Sequence, residues 1–296
     1  MIINIEIGYI MEKSEKIRGS SFKIYSLGVI LLAAAEVVAR TVNLLAYYDA
    51  DIGYYKSGIS ALSGSRGIIY LITTLFFAAC ALFVFGKQEI KLTHAAALPG
   101  KIAGGIFCAA LFFAGAALLV VLRTPGTPNS VLLLLVVALY FVSAPYFLVS
   151  GKRDEENFGV RLILGFMLIL NLIFSLAYSY FDMTVQMNSP NKVVRQIAIL
   201  AALLYLINEN RLLAGKPRNR FYIFSASAAV YLLAVSSIPS IIAFATGLFT
   251  DKIYLIFDIS MFVLLVYTSI SFIRQAFGKN FIRQNAEPES ETENNF

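Results

Sequence analysis

Eight long apolar stretches constrain this chain more than any other feature of its sequence. They fall at about residues 22–47, 66–86, 102–122, 128–149, 159–181, 190–213, 221–246 and 252–274. Each is near the roughly 20 residues that span a hydrocarbon core of about 30 Å. Composition agrees: 58% of the residues are hydrophobic and 14% are charged, against about 25% charged in an ordinary soluble domain. Mean hydropathy is +0.74, too apolar for a water-facing surface. In lipid the backbone must satisfy its own hydrogen bonds, which a helix does within one segment. The sequence therefore predicts an all-α, polytopic transmembrane bundle of about eight spans.

Local punctuation places the helix ends. Ser20 and Ser21 are suited to cap the first span. Thr127-Pro128 and Ser189-Pro190 each read as an N-cap followed by proline at the first helical position. Gly215 and Pro217 stop the sixth span. Residues 1–21 read as a cytoplasmic N-terminal segment, with Met11 as a second possible start, and 277–296 as a disordered acidic cytoplasmic tail. Small residues at 33–35 suit a signal-peptidase site, but the apolar run resumes after Glu36 and continues to Ala46, so the first span is expected to be retained.

Orientation follows from Lys and Arg. With both ends inside, the outer segments hold Lys56, Arg66, Arg123, Lys192, Arg195 and Lys252; apart from Arg40, the rest of the 24 basic residues fall on the inner side. Tyr47, Tyr48, Tyr54, Tyr55, Tyr178, Tyr180 and Tyr254 cluster near the outer boundary and suggest an aromatic belt.

Polar residues within hydrocarbon are costly, and so are candidates for function. In the first span Glu36, Arg40 and Asn43 share one helical face. They read either as an intrahelical Glu36–Arg40 pair or as the wall of a polar cavity. Asn171 in the fifth span and Asp258 in the eighth are expected to join Glu36 and Arg40 in one outward-opening, ligand-binding cavity. Pro239 in the seventh span frees the carbonyl of Val235, which the same cavity is expected to receive. The outer loops bear a polar cluster, Asp49, Asp51, Asp182, Gln186 and Asn188, which reads either as turn chemistry or as a vestibule. Asn208-Glu209-Asn210-Arg211 reads as an interfacial group beside lipid headgroups. Gly100-x-x-x-Gly104 and Gly105-x-x-x-Ala109 predict close helix packing.

Several chemistries are disfavoured. The single histidine, His94, lies in a polar connection, so no site needing two histidines forms within one chain. Cys80 and Cys108 sit in apolar runs and read as packing residues. No metal site, cofactor, catalytic residue or nucleic-acid partner is expected, and an enzyme ranks last among the functions. A small polar or cationic solute is the expected ligand, with a membrane sensor or assembly partner as the alternative. The lipid bilayer is the expected surrounding.

Two stretches, Asp49-Ala50-Asp51-Ile52-Gly53-Tyr54-Tyr55 and 182–192 from Asp182-Met183-Thr184 to Ser189-Pro190-Asn191-Lys192, resemble uncharacterised multi-span proteins of anaerobic Gram-positive bacteria. The resemblance covers under a tenth of the chain by motif. It implies a bacterial inner-membrane address and places both stretches on one outer face; it implies no activity.

Overall fold

The computed structural model describes residues 2–50, 52–56, 60–85, 101–124, 126–150, 158–186, 188–216 and 218–277; the side chains of 2–20, 60–65 and 101 fall outside that description. Asp51, the connection containing Lys91 and His94, the Lys152–Glu156 run and the tail from 278 also lie outside it. Among the described residues, eight helical spans are long and apolar enough to cross a membrane. The chain is a multi-pass, all-α membrane protein.

Helix α1 (Ile2–Tyr47) leads into a short hairpin, β1 (Tyr48–Asp49) and β2 (Tyr54–Tyr55). Next come α2 (Ser60–Ala79), continued by a π turn at Cys80–Val84, and α3 (Lys101–Leu122). The fourth span is two helices, α4 (Ser130–Ser143) and α5 (Pro145–Ser150). Pro145 lacks an amide proton and interrupts the ladder there. The remaining spans are α6 (Phe158–Phe181), α7 (Pro190–Leu213), α8 (Asn219–Ala245) and α9 (Lys252–Phe277).

Helix α8 is the axis of the bundle, with α1, α7 and α9 packed around it. Of its most apolar window 72% is buried, against 17% for α2, which therefore lies at the lipid-facing edge. A helix buried on all sides has no polar face, and α8 meets this with serines that bond locally: Ser227 and Ser237 donate to the carbonyls of Ile223 and Leu233. Helices α7 and α8 both end on a glycine in the left-handed region. Gly215 (φ 68°) lets Lys216 N donate to Arg211 O, and Gly247 (φ 80°) lets Leu248 N donate to Ala243 O. Both ends are Schellman closures.

Several expectations are corrected. Helix α1 runs back to Ile2, so Ser20 and Ser21 do not start it, although its apolar spanning part, Ser21–Tyr47, is the one expected at about 22–47. Helix α4 begins at Ser130 after a left-handed Asn129, rather than at Pro128. Thr127 instead donates its hydroxyl to the carbonyls of Val121 and Thr124, closing the end of α3. Gly104 does pack closely: a Cβ there would meet the Phe147 carbonyl oxygen at 2.5 Å. Gly105 meets nothing within 4 Å and Ala109 is exposed, so that second pair faces outward. The aromatic belt is partial. Tyr180 is exposed, but Tyr48, Tyr178 and Tyr254 turn into the bundle.

Candidate functional site

A cavity of about 410 Å³ opens at one end of the bundle, within the 300–1,000 Å³ common for small-molecule sites. Four pieces of chain form it: the hairpin, the α6–α7 loop with the first turns of α7, the end of α8, and the α8–α9 loop with the first turns of α9. The hairpin is fastened over it. Tyr48 and Ser189 share a hydroxyl–hydroxyl hydrogen bond of 3.1 Å, and Ser189 donates to Gly53 O at 3.0 Å. The Tyr48 ring meets Phe249 edge-on. Burial pushes the Tyr48 phenol above its ordinary pKa, so at neutral pH it is a hydrogen-bonding group rather than a charge.

Deep in this cavity lies a paired charge. Arg195 donates from Nε and Nη2 to the two oxygens of Asp258, at 3.0 and 2.7 Å. Their side chains are 5% and 3% exposed. The two-point geometry matches the guanidinium fork to the carboxylate. The Tyr254 ring sits 4.3 Å from the guanidinium carbon and holds it from another side.

A second cation stands behind the wall. Arg40, 1% exposed, donates from Nη1 to Val235 O at 2.6 Å and from Nη2 to Asn191 Oδ1 at 2.7 Å. Val235 is the residue whose carbonyl Pro239 releases. Asn191 Oδ1 also accepts from Ser240, and both Asn191 and Ser240 line the cavity. One asparagine thus separates Arg40 from the cavity space.

The rim is equally structured. Asp182 is 1% exposed; its carboxylate accepts from the Tyr254 hydroxyl and from the Thr184 amide and hydroxyl. Lys192, also 1% exposed, donates to the carbonyls of Asp182 (2.6 Å) and Val185 (3.3 Å) and lines the cavity. Asp251 accepts from the amides of Ile253 and Tyr254, capping α9. Gln186 is exposed on the rim, and Asn188 is exposed beside it.

The four proposed intramembrane residues therefore separate. Asp258 lines the cavity and Arg40 backs it. Glu36 faces elsewhere: it pairs with Arg66 of α2 at 2.6 Å, not with Arg40. Asn171 bonds Ser143 and Ser175 beside a separate pocket of about 10 Å³, room for about one water. Of the outer cluster, Gln186 meets the cavity directly, and Asp182 braces it through Tyr254 and Lys192. Asp49 lies in the hairpin turn, within 3.4 Å of the Ile52 amide.

Arg195, Lys192, Asn191, Ser240 and Asp251 had no place in the sequence-based site. Arg195 and Lys192 sit in the first turns of a span, where basic residues read as orientation signals. The available signal was their position within an apolar helix. The group Asn208–Arg211 is also corrected: Glu209 and Asn210 are 3% and 8% exposed and lie inside the bundle rather than at the lipid surface.

Among the described residues no cluster of three His, Cys, Asp or Glu side chains is suited to a metal ion. No protein-family model, curated protein or solved structure matches the chain.

Proposed function

We propose that this protein binds a small polar solute bearing a hydrogen-bond-accepting group, such as a carboxylate, in the hairpin-covered cavity. The observation that carries this reading is the buried Arg195–Asp258 pair exposed to that cavity. Charges are withheld from lipid-facing surfaces because they are expensive there. A cavity that keeps a desolvated ion pair, a buried lysine and several hydroxyls and amides is suited to a hydrogen-bonding occupant. Among the buried charges the cations are in excess: Arg40, Lys192 and Arg195 stand against Asp182 and Asp258, and both carboxylates are already taken by Tyr254, Thr184 and Arg195. The third carboxylate of the lining, the exposed Asp251, accepts from the amides of Ile253 and Tyr254. A cationic solute finds no carboxylate among these that is without a partner. Transport of the bound solute is the activity that eight spans around such a site most naturally serve.

The test is thermal unfolding of the protein in nanodiscs with panels of small monocarboxylates, zwitterionic amino acids and quaternary ammonium compounds. A ligand at 100 times its Kd stabilises the folded state by about 2.7 kcal/mol. Acceptor-bearing solutes are expected to raise the midpoint, and Gln186→Leu and Lys192→Met to reduce that rise. Stabilisation by the quaternary ammonium compounds alone, or none by any class, overturns the reading.

The same proposal puts the cavity on the outer face of a bacterial cytoplasmic membrane, the address implied by the resemblance at 49–55 and 182–192. Its support is the basic asymmetry of the loops. Single cysteines near Asp51 and Gln186, in a background lacking Cys80 and Cys108, are expected to react with an impermeant maleimide added outside. Cysteines near Lys91, Arg153 and Arg218 are expected to be protected until the membrane is opened. External labelling at the Arg218 turn reverses the orientation.

A further inference from the structure

A second polar cluster lies toward the opposite end of the bundle, separate from the cavity. Along α7, Arg195 and Glu209 are about 21 Å apart at 1.5 Å per residue. Between them the same helix buries Ala198, Ile199, Ala202 and Leu206. The cluster is built from five helices. Tyr146 and Ser150 come from α5, Arg161 from α6, Tyr205 and Glu209 from α7, Tyr222 from α8, and Tyr267 and Ser271 from α9. All of these side chains are buried.

The two buried ion pairs differ in how completely they are made. Arg195–Asp258 is a two-point contact with both carboxylate oxygens engaged. At the other end, Arg161 Nη2 reaches Glu209 Oε1 only at 3.7 Å, beyond hydrogen-bond range. The same oxygen accepts from the Tyr267 hydroxyl at 2.6 Å, and Tyr267 is itself 3.1 Å from the Tyr146 hydroxyl. Glu209 Oε2 has no protein partner among the described residues, and neither has Arg161 Nε, the Tyr205 hydroxyl or Ser150 Oγ. Tyr205 stands one turn before Glu209 on the same face of α7, and the Tyr146 hydroxyl adjoins Tyr267, the donor to this carboxyl. An ionised carboxylate with one buried oxygen unsatisfied is strongly disfavoured. A proton on Oε2 removes that charge and converts an orphaned acceptor into a donor.

We propose that Glu209 is a proton-binding site, exchanging between a carboxylate held by Arg161 and Tyr267 and a neutral acid. The proton comes from water-borne hydronium and adds to Oε2, releasing water. The cluster's charge rises by one, leaving Arg161 as its net cation. The remaining groups of the cluster are phenols and hydroxyls: Tyr146 and Ser150 on α5, Tyr205 on α7, Tyr222 on α8, and Tyr267 and Ser271 on α9. Arg161 is the only other charged side chain among the described residues of the cluster, and its guanidinium makes a metal cation a poor competitor for the same carboxylate. The site stands independently of what occupies the cavity at the far end.

Infrared difference spectroscopy of the full chain in nanodiscs, recorded across the pH range in which it stays folded, tests this. The wild type is expected to show a protonated-carboxyl stretch on acidification that shifts in D2O, and Glu209→Gln to lose it. Tyr267→Phe removes a donor to the charged form. Its band is therefore expected to titrate about one pH unit higher, the scale set by one charge-assisted hydrogen bond. Wild-type spectra that lack the band, or a band that persists unchanged in Glu209→Gln, overturn the proposal. Should Glu209→Gln not fold, the comparison of wild type with Tyr267→Phe still decides. A midpoint that does not move overturns the assignment, and an upward move supports it.

Discussion

Replacing Asp258 by Leu is expected to destabilise the protein by about 3–5 kcal/mol, the cost of removing one partner from a buried ion pair. Two features put this change at the high end. Arg195 is 4% exposed and cannot shed its proton to escape. Its other support, the Tyr254 ring, holds a cation in place without neutralising it. Leucine branches at the same carbon as aspartate, so two methyl groups take the places of the carboxylate oxygens, although leucine is the bulkier side chain and adds a packing cost of its own. The converse experiment separates charge from shape. Converting the pair together, Asp258→Leu with Arg195→Met, removes both charges and is expected to recover most of the lost stability, since a buried pair is often no better than its apolar equivalent. The measurement is the unfolding midpoint in denaturing detergent for the wild type, both single variants and the double. Equal losses in the single Asp258→Leu and the double would show that the pair is not the interaction holding this corner together. If the double variant is stable yet no longer responds to acceptor-bearing solutes, the pair belongs to recognition rather than to folding.

How much of this was legible in the sequence depends on whether a feature is local. Apolar run length located all eight spans, because the distance to be crossed is fixed by the bilayer and not by neighbouring helices. Ser189-Pro190 marked the start of α7, yet the serine hydroxyl bonds Tyr48 and Gly53 rather than the helix amides. The position was local and the partner was not. Glu36 shows the same limit. Its spacing to Arg40 suits an intrahelical pair, but α2 brings Arg66 within 2.6 Å and α8 offers Arg40 a free carbonyl. Spacing along one helix fixes which side chains share a face; it does not fix which neighbour that face meets. Arg195, Lys192 and Arg161 were hidden for another reason. A basic residue in the first turn of a span satisfies the rule for loop charge whether it points to water or to the core. Glu209 sits near the end of α7 and reads as interfacial until α5, α6 and α9 are seen to enclose it. The hairpin at 48–55 was also silent, since two-residue strands carry no alternation long enough to detect.

Pro239 does release the Val235 carbonyl, but Arg40 rather than the cavity receives it, and this contact yields the other large effect. Pro239 has no amide proton, so the Val235 carbonyl, one turn earlier in the most buried helix, lacks its usual donor. Arg40 supplies the missing donor from α1. Arg40→Met therefore removes a charge-assisted hydrogen bond, leaves the Val235 oxygen unsatisfied, and takes one donor from Asn191. Each buried orphan costs about 1–3 kcal/mol, and a total loss of about 2–4 kcal/mol is expected. Pro239→Ala in the same background returns an N–H to position 239 and lets α8 satisfy Val235 itself. The double variant Arg40→Met, Pro239→Ala should thus be less destabilised than Arg40→Met alone, by about 1 kcal/mol or more. In wild-type background, Pro239→Ala gives Val235 two competing donors and should gain little. A double-mutant cycle on unfolding midpoints reads the coupling directly. Strict additivity of the two changes would mean that Arg40 does not serve the carbonyl that Pro239 releases. A coupling of the expected sign would identify the break in α8 as the reason a cation is kept behind the cavity wall.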